Sequence, residues 1–235
     1  MRIIDLYKRK VFHMIKQLAL AILRAGSPRD KEYKVAANFL NLSESTLDVG
    51  CGTGTFLELS PKTIVGLDVN PENIEFCKSR GLNAIEGTAL ELPFADGSFS
   101  NIHCSHLLQV LTPDEMVAVM KELMRVLKKD GILVISTLNC FKNFYRHPEN
   151  SRPYPPDSIR RLFQKQKGAQ SPMFPQLPEV IERGIWFRHP ALIEFKLEKS
   201  RLLSNLASIL NAIQRILKIK KVWTFDSYII KLQKK

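Results

Sequence analysis

Asp48 precedes three glycines at alternate positions, Gly50, Gly52 and Gly54, in the stretch LDVGCGTG that begins at Leu47. An apolar run that ends in an acid and then breaks into glycines has the form of a buried parallel strand turning sharply into a helix. Glycine suits a backbone that must turn tightly while a ligand comes close, because any Cβ would collide. The chemistry this implies is the binding of a nucleotide-like group at the carboxyl end of the first strand. The spacing excludes two ligand classes. A phosphate-cradling P-loop carries a Lys after its last glycine, and Thr55 stands there instead. The dinucleotide turn places its third glycine three residues after the second, which is again Thr55.

A second acid supports the first. Asp68 ends the run Thr63-Ile64-Val65-Gly66-Leu67 and is followed by Val69-Asn70-Pro71. An acid at the tip of the second strand is placed to accept hydrogen bonds from both ribose hydroxyls, and its charge opposes a 2′-phosphate. Its alternative role is to cap the helix that starts near Pro71, for which Asn70 is better placed.

LDVGCGTG, GLDVN, LPFADGSFS and the helix TPDEMVAVMKELMRVLKKDG running into ILVIST stand in the order seen in class I S-adenosylmethionine-dependent methyltransferases. The chain resembles most the type 11 branch, which includes quinone and other small-molecule methyltransferases, and the resemblance covers about Thr46 to Thr137. It implies S-adenosyl-L-methionine as cofactor. Asp48 and the backbone of Gly50, Cys51, Gly52 and Gly54 would surround its methionine portion. Asp68 would take the ribose and Val69 would lie along the adenine. Thr88, Ala89 and Leu90 follow the third strand, where the family commonly has an Asp facing the adenine amino group. The Thr88 hydroxyl can accept there, without charge assistance. Cys104 and Ser105 would close the fourth strand beside the methyl-bearing sulfur.

Methyl transfer from a sulfonium is an in-line displacement, so the protein has mainly to align the reacting atoms. A base is needed only for a protonated, weakly acidic acceptor. His106, just past the fourth strand, is the candidate, with fixing of its loop as the alternative role. His103, inside the strand, reads as a packing residue. Where the family often has Glu followed by His, this chain has Gln109-Val110. Cys51, Cys77, Cys104 and Cys140 show no metal-ligand spacing, so no metal is expected, and they point to a reducing compartment without disulfides.

The elements that must position these residues alternate. Strands are expected at Leu47, Thr63–Asp68, Leu82–Glu86, Phe99–Cys104 and Ile132–Thr137. Helices are expected at Arg29–Asn41, Pro71–Arg80 and Pro113–Lys129, the last opened by a Thr112/Glu115 capping box and closed by Lys128-Lys129 at its negative end. This is an α/β chain with an open, mostly parallel sheet and helices on both faces. The resemblance implies seven strands, the last antiparallel. Further on, helices are expected at Pro155–Gln164, Leu177–Arg183 and Ser200–Leu217, and strands at Ala191–Glu198 and Thr224–Leu232. Three regions follow: a basic amphipathic helix over 1–28, a cofactor core over 29–140, and lid insertions with the last two strands of the same sheet over 141–235.

Charge is uneven beneath the net +12. Residues 41–140 carry seven Lys/Arg against thirteen Asp/Glu, whereas residues 141–235 carry nineteen against seven. Residues 1–40 carry nine against three, with Ile4, Tyr7, Val11, Ile15, Leu18 and Ile22 along one helical face. That helix reads as packed on its own core, as a membrane-binding surface helix or lid, or as a transit segment. Basic flanks suit an anionic small substrate, an anionic lipid surface or nucleic acid, or serve solubility alone. The expectation is a cytoplasmic methyltransferase for a small lipidic, aromatic or quinone-like acceptor, with peripheral contact to anionic membrane. The alternatives are RNA or protein methylation, which no RNA-binding module supports, and cofactor binding without catalysis.

Overall fold

The computed structural model describes residues 28–138, 144–163, 177–188 and 227–235. The expected amino-terminal amphipathic helix, the strand expected over 191–198 and the helix expected over 200–217 lie outside the described residues, as does Cys140. From residue 32 onward, the described residues belong to one compact unit, Glu32–Arg188 with Phe225–Lys235.

Helix α1 (Pro28–Phe39) leads into β1 (Thr46–Val49), β2 (Ile64–Asp68), α2 (Pro71–Ser79), β3 (Ala84–Glu86) and β4 (Phe99–Ser105). Then follow α3 (Pro113–Val126), β5 (Leu127–Leu138), α4 (Pro156–Leu162), β6 (Val180–Arg188) and β7 (Ser227–Lys234). The sheet has seven strands in the order β3-β2-β1-β4-β5-β7-β6. β1 to β5 run parallel, and β7 runs antiparallel to both β5 and β6. Strand order reverses between β1 and β4, and the crevice beyond their carboxyl ends is where such sheets bind ligands.

Side chains alternate across the sheet, which gives two apolar layers. Ile102, Leu133, Ile135 and Ile230 pack with Met116, Met120 and Leu123 of α3. Ile64, Val134 and Ile229 pack on the other face with Ala36 of α1 and with Ile74 and Cys77 of α2. The capping box forms as expected. Thr112 Oγ1 accepts from Glu115 N–H, and Glu115 Oε2 accepts from Thr112 N–H at 2.8 Å.

Two elements differ from expectation. Helix α3 ends at Val126, not Lys129, and Leu127 is already extended, buried and paired with Phe99. Asp130 then takes a left-handed φ of 61°, and a Cβ at Gly131 would lie 2.7 Å from Leu127 Cδ1. The cation at the negative end of α3 is therefore Lys234 of β7, whose ammonium donates to Met124 O and Leu127 O at 2.6 and 2.7 Å. The helix expected over Leu177–Arg183 is instead the start of edge strand β6, paired with β7 along its length around one bulge at Glu182/Gly184. The helix-forming Glu179, Glu182 and Arg183 do not decide its state, because β7 offers a complete ladder of backbone partners.

Candidate active site

The turn after β1 passes through left-handed conformations at Gly50 (φ 75°), Gly52 (53°) and Gly54 (79°). Gly50 N–H and Cys51 N–H both donate to Leu67 O, at 2.8 and 3.0 Å, which ties the turn to β2. A Cβ at Gly54 would lie 2.7 Å from Cys77 Sγ and 2.9 Å from Leu82 Cδ1, so packing alone demands glycine there. A Cβ at Gly52 would meet nothing within 4 Å, so its φ demands glycine while the space on that side stays open to a ligand.

Asp68 braces that turn. Its Oδ2 accepts from Gly52 N–H at 2.8 Å, and its Oδ1 accepts from Asn70 N–H at 2.9 Å and Asn73 Nδ2 at 3.2 Å. Asn70 in turn caps α2 by accepting from Glu72 N–H at 2.9 Å, as its position in the sequence indicates. Val69 is 73% exposed and Leu90 41%, so two apolar side chains stand open where β2 and β3 end. Thr88 Oγ1 accepts from Leu90 N–H at 3.2 Å and so shapes the turn that carries Ala89.

Asp48 is buried below the glycine turn, where its Oδ1 meets His103 Nδ1 at 2.7 Å. The two residues are register neighbours on β1 and β4. The His103 ring stacks on Phe56 with centroids 3.8 Å apart and meets the Tyr33 ring edge-on at 5.9 Å. His103 is thus a core residue, as expected, and also the partner of the motif's first acid. Burial, with the Asp48 carboxylate adding to it, pushes the Cys104 thiol up to about 12 and raises that of Cys51 as well. The Ser105 hydroxyl, beside Cys104, has no hydrogen-bond partner among the described residues.

His106 follows Ser105 on a left-handed backbone, φ 55°, and its N–H donates to Ser136 O at 2.8 Å. Its Nε2 lies 3.0 Å from Glu32 Oε2, and its Nδ1 lies 3.4 Å from Gln109 Oε1. Glu32 is 1% exposed, and its other oxygen accepts from the Ser227 hydroxyl. Gln109 Oε1 also accepts from Leu138 N–H at 3.1 Å and Thr137 Oγ1 at 3.4 Å, while its Nε2 donates to Asn150 Oδ1 at 3.2 Å. Sequence reasoning missed Glu32 and Ser227. A signal for Glu32 existed: it stands four residues before Ala36 and eight before Leu40, on the buried stripe of α1.

The structure thus brings together Gly50, Gly52, Gly54 and Asp68 at one turn, Asp48 with His103 beneath it, and His106 with Glu32 beyond β4. Among the described residues, no group of three or more His, Cys, Asp or Glu is arranged to hold a metal ion.

The family described as "Methyltransferase domain" matches residues 47–135. An uncharacterized methyltransferase of Synechocystis sp. is 29% identical over 143 residues, 59% of this chain and 67% of that protein. A malonyl-[acyl-carrier protein] O-methyltransferase of Herminiimonas arsenicoxydans is 32% identical over 136 residues. That match covers 52% of this chain, which spans about half the length of that relative, 51%. The crystal structure of a SAM-dependent methyltransferase from Archaeoglobus fulgidus superposes with a TM-score of 0.55 at 22% identity, over 81% of this chain and 86% of the other. At that identity the likeness establishes the fold.

Proposed function

Residues 47–135 belong to the type 11 class I S-adenosyl-L-methionine-dependent methyltransferases, and from that premise we propose that the chain methylates a small-molecule acceptor, lipidic, aromatic or quinone-like. The observation that carries this reading is the Gly52 cradle, open at its surface and held by Asp68 at the point where strand order reverses. The cradle fits the cofactor, since a left-handed glycine whose Cβ position has no neighbour within 4 Å leaves room for a ligand against the backbone.

In this reading the backbone of Gly50, Cys51, Gly52 and Gly54, above Asp48, holds the amino-acid end of the cofactor. Asp68 keeps one acceptor site for the ribose, because a carboxylate offers about four and three donors occupy it here. Val69 and Leu90 give the adenine two apolar faces, Thr88 and Ala89 border it, and Cys104 and Ser105 lie beside the sulfur. When bound, the cofactor supplies a methyl group on a positively charged sulfur that departs as a neutral thioether. The protein aligns the acceptor with that methyl group, and His106 takes the acceptor's proton where it has one to lose.

We propose residues 29–140 as the cofactor core and, as its flanks, 1–28 as a basic lid or surface helix and 141–235 as lid insertions with the last two strands of the same sheet. Their charge supports an anionic acceptor, or an anionic lipid surface that delivers it. No helix among the described residues is long and apolar enough to cross a membrane. Calorimetry with S-adenosylhomocysteine tests the cofactor site, and the absence of binding would overturn the reading. Transfer of labelled methyl groups to dodecanoate, a hydroquinone and bulk tRNA then sorts the acceptor classes. Labelling of tRNA alone would replace the small-molecule reading with RNA methylation. Flotation with phosphatidylglycerol vesicles at low salt tests the lipid surface, and failure to float removes it.

A further inference from the structure

We infer that Glu32, a buried carboxylate of α1, is the positioning residue that fixes the tautomer and orientation of His106 and leaves Nδ1 as the atom that takes the acceptor's proton. This rests on the reading of His106 as the proton acceptor of the methyl transfer. The carboxylate is a hydrogen-bond acceptor only, so at 3.0 Å it holds the ring proton on Nε2. The neutral ring then carries its lone pair on Nδ1. Gln109 Oε1 faces Nδ1 at 3.4 Å, longer than the 3.0 Å between Nε2 and Glu32, and it also receives Leu138 N–H at 3.1 Å, so the Glu32 carboxylate has the stronger claim on the ring proton. Gln109 thus lies near Nδ1 without donating to it.

The proton step balances on these atoms. The acceptor's O–H or N–H bond breaks, its electron pair stays on the acceptor atom as the nucleophile, and an N–H bond forms at Nδ1. The resulting imidazolium faces Glu32 on one side and the Gln109 carbonyl on the other, both of which stabilise its charge. The geometry is held from three elements. Ser227 of β7 donates to the second Glu32 oxygen, the left-handed backbone at residue 106 aims the ring, and the His106 N–H is anchored on Ser136 O of β5. A non-glycine residue on a left-handed backbone is uncommon outside places where the surroundings over-determine it, and such places concentrate at functional sites.

The test is ¹⁵N NMR of the histidine rings in the full chain, with His106 assigned through His106→Gln. The wild-type ring is expected to show the ¹⁵N shifts of the Nε2–H tautomer. Glu32→Gln should mix the two neutral tautomers, since an amide can face Nε2 as donor or as acceptor. Glu32→Asp should restore the Nε2–H tautomer in part, which a loss of folding would not do. An unchanged tautomer in a folded Glu32→Gln variant would overturn the proposal. Failure of the wild type to bind S-adenosylhomocysteine would overturn the methyltransferase reading instead, and the two outcomes are read in separate experiments.

Discussion

The Asp68 carboxylate and the Gly52 amide, sixteen residues apart in the chain, meet at 2.8 Å. The acid of the second strand is therefore part of the glycine turn before any ligand arrives. Its two oxygens serve different donors, Gly52 N–H on one and Asn70 N–H on the other. An amide in its place must turn its NH₂ against one of them. Asp68→Asn is expected to weaken S-adenosylhomocysteine binding at least about tenfold, roughly 1.4 kcal/mol, and to speed hydrogen exchange at the Gly52 amide. Wild-type affinity would show that the brace is dispensable.

The glycines of the turn separate into two kinds. Gly54→Ala puts a methyl group against Cys77 Sγ and Leu82 Cδ1 on a left-handed backbone. Strain and overpacking together should cost about 3 kcal/mol of stability in urea denaturation. Gly52→Ala meets no atom and should cost only about 1 kcal/mol. On the proposed reading its methyl group would enter the cofactor's approach, so calorimetry should show cofactor binding lost in a folded protein.

The buried thiols set an alkaline limit. Cys104 rises from 9.0 to about 12 on folding, and Cys51 rises too. A raised group contributes stability that is complete below its unfolded value and is lost as pH climbs through its folded value. Thermal stability should therefore decline between pH 9 and 12 beyond what surface charge explains. Cys104→Ala should flatten part of that decline. At pH 8 a thiol reagent should modify Cys51 and Cys104 only after denaturant is added.

Arg125 holds the loop between β3 and β4. Its guanidinium donates to Leu92 O, Phe94 O, Asp96 and Glu122, and it keeps the Glu122 carboxylate below its usual range. Arg125→Ala should cost about 2 kcal/mol and raise exchange at the Leu92 amide, which donates to Glu122 Oε2. Because the Glu122 value is lowered, its contribution is present above 4.5 and fades as pH falls through the folded value. Acid and Arg125→Ala should therefore loosen the same loop.

Local signals were legible in the sequence and distant partners were not. Glycine spacing, the Asn70 cap and the Thr112/Glu115 box all act within a few residues, and each stands where its chemistry indicates. The pairs Asp48–His103 and Glu32–His106 span fifty-five and seventy-four residues, so no spacing rule reaches them. β6 read as a helix because Leu177–Arg183 holds good helix formers, and only pairing with β7 makes it a strand. The end of α3 was misplaced for a similar reason: Lys234, which neutralises it, lies more than a hundred residues on.

β7 sits between β5 and β6, although residues 189–226 separate it from β6 in the chain. During synthesis β6 leaves the ribosome well before the strand it pairs with. Its backbone donors and acceptors must wait in water or be shielded by a chaperone until β7 arrives. Ser227, which steadies Glu32, opens that same late strand. The His106–Glu32 side of the crevice is thus completed after the glycine-turn side, and on the proposed reading a nascent chain would become able to hold the methyl donor before it could use it.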